Sequence, residues 1–537
     1  MKRMPMQSHA NQDDQHLETV NLCDATLGDL ASAFDAGTLS AESLVARSLA
    51  RIEAFDRQGP CLRAVISLNP KALDTARALD EERARQGPRG PLHGIPVVLK
   101  DNIDTGDMPT TAGSVLLAGA IPPDDAFIVQ QLRAAGAIIL AKVNMSEFAS
   151  GGTFSSIVGY SRNPHDLARS TSGSSGGTAV AVAAGYAPIG IGTDTGGSIR
   201  GPAAAQGLVA LKPTRGLLSR DGIVPLSPTL DTAGPMARHV QDLAAVLGVL
   251  TGVDPADEGT RASEGRSCSD YTCLLDAQAL RGARLGVARD FAGADADVDW
   301  VFEASLDALQ RAGAQLVDVR YPAWLLALKD SLFDAIRLPE FAPHLAQYLA
   351  SLGPAYPKSL NELIERARSL PAGAGPSGVP NPGRWAQFER EAASGPLTDY
   401  RYESARVHGL GLVQSVVTGL MATHQLDAVV YPTAIRRAAL VAGHSADPTG
   451  PAPGSAANIA NLSGLPDLVV PAGLTGDRLP VCLSFLGPAF SEARLLSLGY
   501  AFEQATRARR QPVHAPALPG DAISRPRARS SSEATRK

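Results

Sequence analysis

Hydrophobic and polar positions along this chain follow two periods, and the switches between them mark the expected elements. Over residues 26–55 the run TLGDLASAFDAGTLSAESLVARSLARIEAF places apolar residues three and four apart, with Ser40 offering a cap and Glu42, Arg47, Arg51 and Glu53 on charged faces. Two amphipathic helices follow from that pattern. Residues 62–69 (LRAVISLN) read as a short strand and 70–86 as a helix with proline in its first turn. The run GIPVVLKDNI at 94–103 is β-branched and apolar until Lys100, and AIILAKV at 137–143 repeats that style after a helical stretch at 126–134. The same alternation recurs at 188–193, 283–287, 315–319, 428–431 and 467–471. The expectation is an α/β fold: one large domain with a central mixed β-sheet covered by helices on both faces.

Within 537 residues, the segment 25–518 carries this pattern, preceded by a flexible stretch at 1–24 and followed at 519–537 by an Arg/Ser/Ala/Pro-rich tail expected to be disordered. Residues 330–400 differ in style, with aromatic and proline-containing helices and a loop LPAGAGPSGVPNPGRW at 370–385, and are expected to frame a site.

Composition narrows the function. At 44% hydrophobic and 19% charged residues the chain is globular in its usage, and with a net charge of −5 nothing electrostatic favours nucleic acid or an anionic membrane as the main partner. Five scattered cysteines argue against a disulfide framework. Whether Cys268 and Cys273 pair stays open, and without a second Cys/His pair at zinc spacing no metal is expected. The N-terminal MKRMPMQSHANQDDQH has no apolar core behind its basic start, and no run of about 20 apolar residues occurs, so a cytoplasmic location and no membrane partner are expected.

Chemistry concentrates in 171–206. The stretch GSSGG at 173–177 satisfies G-x-S-x-G with Ser175 central, but a nucleophile elbow should leave a hydrophobic strand and this one leaves the polar HDLARSTS. A dinucleotide fingerprint and a P-loop both fail, so no nucleotide cofactor is indicated. What remains is two serine–glycine turns, GSSGG and TGGSIR, and Lys100 at the end of an apolar strand.

These motifs identify a resemblance. GSSGG at 173–177, a helical stretch, GTDTGGSIR at 192–200 and KPTRG at 212–216 resemble the amidase signature family of C–N bond hydrolases. GIPVVLKDNID at 94–104, AKVNMSEFA at 141–149, DTAGPMAR at 231–238, SGLPDLVVPAG and LPVCLSFLG are similar to family segments in family order, covering about 25–510. Ser172 stands where the family usually has glycine, and 434–457 matches nothing distinctive. The C-terminal stretch is similar to bacterial amidases of the peptide amidase type.

The resemblance implies Ser198 as acylated nucleophile, Ser174 as bridging serine behind a cis Gly173–Ser174 bond, and Lys100 as base, with no cofactor. It also implies an oxyanion hole built from the amides of Thr195, Gly196 and Gly197, with Ser198 a further candidate. The chemistry is coherent, because a serine hydroxyl needs a neighbouring base, and a lysine serves only when burial keeps it neutral. Asp194 and Arg200 read as an ion pair that anchors the loop, and Ser175 as a hydrogen-bonded turn residue. Lys142 and Lys212 are rival bases, disfavoured here as solvated strand ends. A Ser-His-Asp arrangement has no histidine in a motif-like setting: His93 reads as structural, and His424 and His444 lie far downstream. The implied substrate is a small-molecule or peptide amide. Esters, carbamates, an amidotransferase of the A type that works with partner chains, and a homodimer are left open.

Overall fold

The computed structural model describes residues 17–150, 154–370, 382–441 and 455–526. Apolar β-branched runs pair into one mixed sheet, which among the described residues has eleven strands. From one edge these are Gln315–Val319, Arg284–Ala288, Ala428–Pro432, Pro480–Leu486, Asp467–Leu474, Val209–Lys212, Thr232–Ala237, Ile189–Asp194, Pro96–Lys100, Ile138–Val143 and Val65–Leu68. Pro96–Lys100 runs parallel to both neighbours, whereas Thr232–Ala237 is antiparallel to Ile189–Asp194.

Why these runs lack a polar face is plain from the packing. Val97 and Leu99 join one core cluster with Ile189, Ile191 and the helix Val240–Leu250, while Val98 joins another with the helix Gly176–Ala183 and residues of Ala41–Ile52. A strand buried on both faces reads as a continuous apolar run instead of an alternation. Both faces of the sheet are therefore covered, as expected.

The early helices form at Leu27–Asp35 and Ala41–Ile52, the second capped by Ser40, whose Oγ accepts from the Ser43 amide at 3.1 Å. The next helix spans Ala72–Gln86, so Pro70 precedes its cap instead of lying in its first turn. The expectation of a flexible start and a disordered tail needs correction over residues 17–24 and 519–526 alone. Leu17–Asn21 pairs antiparallel with Ala522–Pro526, and the Arg51 guanidinium, fully buried, binds Asp521 and the carbonyls of Ala184 and Ala515. Backbone pairing between the two ends carries no side-chain periodicity, which is why composition does not reveal it. Residues 1–16 and 527–537 lie outside the described residues.

Residues 330–400 hold the long helix Ala323–Ser351, then Leu360–Ser369 and Pro382–Ala392. The loop expected over 370–385 is corrected at its end, since the helix begins at Pro382, with proline tolerated at a first helical position; 371–381 lie outside the described residues. Phe341 and Phe388 meet the Phe148 ring edge-on in a satellite core beside the sheet.

Candidate active site

Lys100 ends the strand Pro96–Lys100, and the parallel register that sets Leu99 opposite Ile191 carries its side chain to Thr193 on the next strand. Its Nζ donates to Ser174 Oγ at 2.7 Å, to Thr193 Oγ1 at 2.6 Å and to the Thr193 carbonyl at 3.2 Å. Asn102 Nδ2 donates to the same Thr193 Oγ1 at 3.1 Å. Lys100 is 0% exposed, and that burial pushes its pKa down to about 7 against the opposing pull of the Asp194 and Asp231 carboxylates. Near neutral pH a fraction of this amine is uncharged, the form able to take a proton.

Ser174 enters through the glycine-rich turn. The Gly173–Ser174 peptide is cis, and the chain then turns into Gly176–Ala183. Only glycine fits at 177, where a Cβ would lie 2.4 Å from the Asn144 carbonyl oxygen. Ser198 arrives on the second turn, partly exposed, and the Ser175 amide donates to its carbonyl at 3.1 Å, which brings the two serine–glycine turns together. The Ser175 hydroxyl donates to the Thr193 carbonyl at 3.1 Å and accepts from the Thr193 amide, so it ties the turn to the strand beside Lys100.

Asp194 shapes the second turn. Burial alone would raise its carboxyl, but the Arg200 guanidinium outweighs that and holds it below the usual carboxylate range. Its oxygens accept from the amides of Gly197 at 2.7 Å and Ile199 at 2.9 Å, from Arg200 Nε at 3.1 Å, and from Asn461 Nδ2 at 2.9 Å. Arg200 in turn donates to Asp467 Oδ2 at 2.7 Å and Asn461 Oδ1 at 2.6 Å, and Tyr431 OH donates to the same Asp467 oxygen at 2.6 Å. The Gly197 amide is thus already engaged, in contrast to the expectation that it points at an oxyanion. The amides of Thr195, Gly196 and Ser198 donate to no partner among the described residues. Gly197 has φ +116°, and a Cβ there would lie 2.9 Å from Ala457, so glycine is required at this bend for a different reason from donation. Gly196 packs on the Phe333 ring of Ala323–Ser351.

The rival bases are not solvated strand ends. Lys142 and Lys212 are both 0% exposed, because each sits mid-sheet with its neighbours covered. Lys212 is pushed down to about 7 by burial, with the Arg200 charge adding to it, yet among the described residues its Nζ reaches only the Pro213 carbonyl. Lys142 Nζ binds Thr110 Oγ1 at 2.7 Å and lies 3.9 Å from Asp101. Burial is shared by all three lysines; contact with a serine hydroxyl distinguishes Lys100. His93 bonds the Leu79 carbonyl through Nε2 at 2.9 Å, and no described histidine reaches Ser174, Ser175 or Ser198. His444 lies outside the described residues. Cys268 and Cys273 are both free thiols, each donating to the Asp270 carbonyl at 3.1 Å.

Sequence reasoning does not single out Thr193, Asn102, Asp231 or Asn461. Asp231 accepts from the Thr195 hydroxyl and from the amides of Leu226 and Ser227, both at 2.9 Å, fixing the side chain of a residue with an open amide. Asn102 and Asp231 lie within the motif segments GIPVVLKDNID and DTAGPMAR, and that is the available signal.

A buried amine on a serine hydroxyl, beside a second serine on a turn with open amides, combines the parts that acyl transfer by a serine hydrolase requires. The chain belongs to the amidase family, whose profile matches residues 43–496, and it is an amide-cleaving enzyme. It is similar to the peptide amidase of Stenotrophomonas maltophilia, at 41% identity and a TM-score of 0.83, covering 91% of this chain and 98% of that one. An amidase family protein of Bacillus anthracis matches at 33% identity and a TM-score of 0.80 over 91% and 92% of the two chains. The A-type component of the glutamyl-tRNA(Gln) amidotransferase of Halorhodospira halophila is 38% identical over 490 residues, 90% of this chain and 97% of that protein. No described helix is long and apolar enough to cross a membrane.

Proposed function

We propose that this enzyme hydrolyses the terminal carboxamide of a peptide or peptide-like small molecule through an acyl-enzyme on Ser198. The observation that carries the reading is the 2.7 Å contact of buried Lys100 Nζ with Ser174 Oγ. Neutral Lys100 takes the Ser174 proton while Ser174 takes that of Ser198, and Ser198 Oγ attacks the carboxamide carbon. The developing oxyanion is met by the amides of Thr195, Gly196 and Ser198; one such donor is worth about 2.7–4 kcal/mol by deletion. The proton then returns from Lys100 through Ser174 to the leaving nitrogen as the C–N bond breaks. Water repeats the sequence on the ester, releasing the acid and restoring neutral Lys100.

The likeness to a peptide amidase in sequence and fold supports the peptide-amide substrate. A second reading, an amidotransferase of the A type that works with partner chains, draws support from the curated relatives at 36–38% identity. The purified chain assayed alone against C-terminal peptide amides separates them. Release of ammonia at an enzymic rate supports the hydrolase; activity only after companion chains are added supports the amidotransferase.

A further inference from the structure

A cleft of about 840 Å³ opens on the described surface, and Lys100, Ser174 and Ser198 do not line it. Its charged walls are Arg215 and Arg220 on the loop after Val209–Lys212, Glu340 on Ala323–Ser351, and Arg406 on the segment Ala405–Gly409. Two of these four are already satisfied. Arg220 is clamped by Asp257, with Nε at 2.8 Å and Nη2 at 2.5 Å from its carboxylate. Glu340 is buried and its oxygens accept from Ser227 Oγ at 2.6 Å, the Thr229 amide at 3.1 Å, Tyr402 OH at 2.7 Å and the Thr229 hydroxyl.

The other two are not. Arg215 donates to the Thr229 carbonyl at 3.0 Å and, like Arg406, makes no ion pair among the described residues. Burial and the neighbouring Arg220 charge both work against the Arg215 cation. Counting Asp257 against its ion-pair partner Arg220, the formal charges of Arg215 and Arg406 outweigh that of Glu340 by one. A guanidinium offers a planar fork of donors that matches carboxylate and phosphate oxygens two at a time.

We infer that this cleft is a binding site for a small oxyanion of carboxylate or phosphate type, held by Arg215 and Arg406. The site does not rest on the proposed amide chemistry, since none of Lys100, Ser174 and Ser198 lines the cleft. The same loop joins the two places: Thr229 is held by Arg215 and Glu340, the neighbouring Leu226 and Ser227 amides hold Asp231, and Asp231 accepts from the Thr195 hydroxyl.

Isothermal titration of the full-length protein at low chloride, with inorganic phosphate and with succinate in separate runs, tests the proposal. One saturable site is expected, weakened about tenfold or more in Arg215→Gln and in Arg406→Gln, since each removes a charge-assisted contact. Arg406 is exposed, so Arg406→Gln is expected to fold and to keep amide hydrolysis within about twofold; it carries the test if Arg215→Gln does not fold. Saturation by phosphate alone assigns a phosphate-type ligand, and by succinate alone a carboxylate. No saturable binding of either probe, or an Arg406→Gln affinity equal to the unaltered protein's, overturns the site.

Discussion

Lys100 Nζ lies 2.6 Å from Thr193 Oγ1 and 3.2 Å from the Thr193 carbonyl, so one threonine supplies two of the three acceptors around the buried amine. Acceptors stabilise the ammonium and partly offset the burial that disfavours it. Thr193→Val removes one of them while keeping the shape of the side chain. The Lys100 pKa falls further, and the acid limb of the kcat/KM profile moves down by about one unit, because a hydrogen bond to a charged group is worth roughly 1.5–3 kcal/mol and one unit is about 1.36 kcal/mol. A weaker base is also a poorer catalyst, so the plateau rate drops roughly tenfold. An unmoved acid limb in a folded Thr193→Val enzyme argues against Lys100 as the titrating group.

Ser198→Ala is expected to lower kcat/KM by a factor on the order of 10⁴–10⁶ with circular dichroism unchanged, as loss of the nucleophile does in serine hydrolases. A fluorophosphonate probe modifies Ser198, mapped by peptide mass. Ser175 is the control, since its hydroxyl is engaged with the Thr193 backbone. A label found on Ser175 removes the assignment.

What is legible in the sequence, and what is not, divides along physical lines. The strand ending at Lys100 is readable because a both-face-buried strand is a run of apolar residues, and the two glycine-rich turns because close backbone approach demands glycine. Lys142 and Lys212 look solvated in sequence, since a local window shows polar neighbours along the chain but not the strands that cover them in space. Gly197 stands among the donors that the family resemblance implies, and only the fold reveals that Asp194 already takes its amide. Thr193, Asn461 and the pairing of Leu17–Asn21 with Ala522–Pro526 depend on contacts between segments far apart in the chain, which no periodicity encodes.

The Asp194–Arg200–Asp467 cluster invites a stability test. Arg200 is the cation that both carboxylates contact, and all three side chains are buried. Arg200→Gln leaves two buried carboxylates without it, and a broken buried pair of this kind costs about 3–5 kcal/mol. Urea unfolding measures the loss. Because Asp194 also pins the Gly197 and Ile199 amides, kcat should fall with stability, even in the fraction that remains folded. A cost below about 1 kcal/mol contradicts the cluster as the anchor of the Ser198 turn.

The buried Lys100 should leave a mark on stability as well as on rate. Its pKa falls from an ordinary value of 10.5 in the unfolded chain to about 7 in the folded one. Between those values the unfolded chain binds more protons than the folded chain, so stability contributed by this residue rises as pH climbs. Below about pH 7 the full penalty of burying the amine is present, and it fades toward pH 10.5. Lys100→Met abolishes turnover but removes the penalty, so the variant gains on the parent enzyme at low pH and loses that advantage as pH increases. The hydrogen bonds to Ser174 and Thr193 that methionine forfeits shift the whole comparison by an offset. The slope is therefore the signal: between about pH 7 and 10 the difference in unfolding free energy should shrink by up to about 1.36 kcal/mol per unit. Urea unfolding of both proteins at about pH 6, 7, 8 and 9 reads it directly, with Lys142 and Lys212 present in each and cancelling. Parallel stability curves, or a gap that widens with pH, would show that Lys100 keeps an ordinary pKa and cannot act as the neutral base.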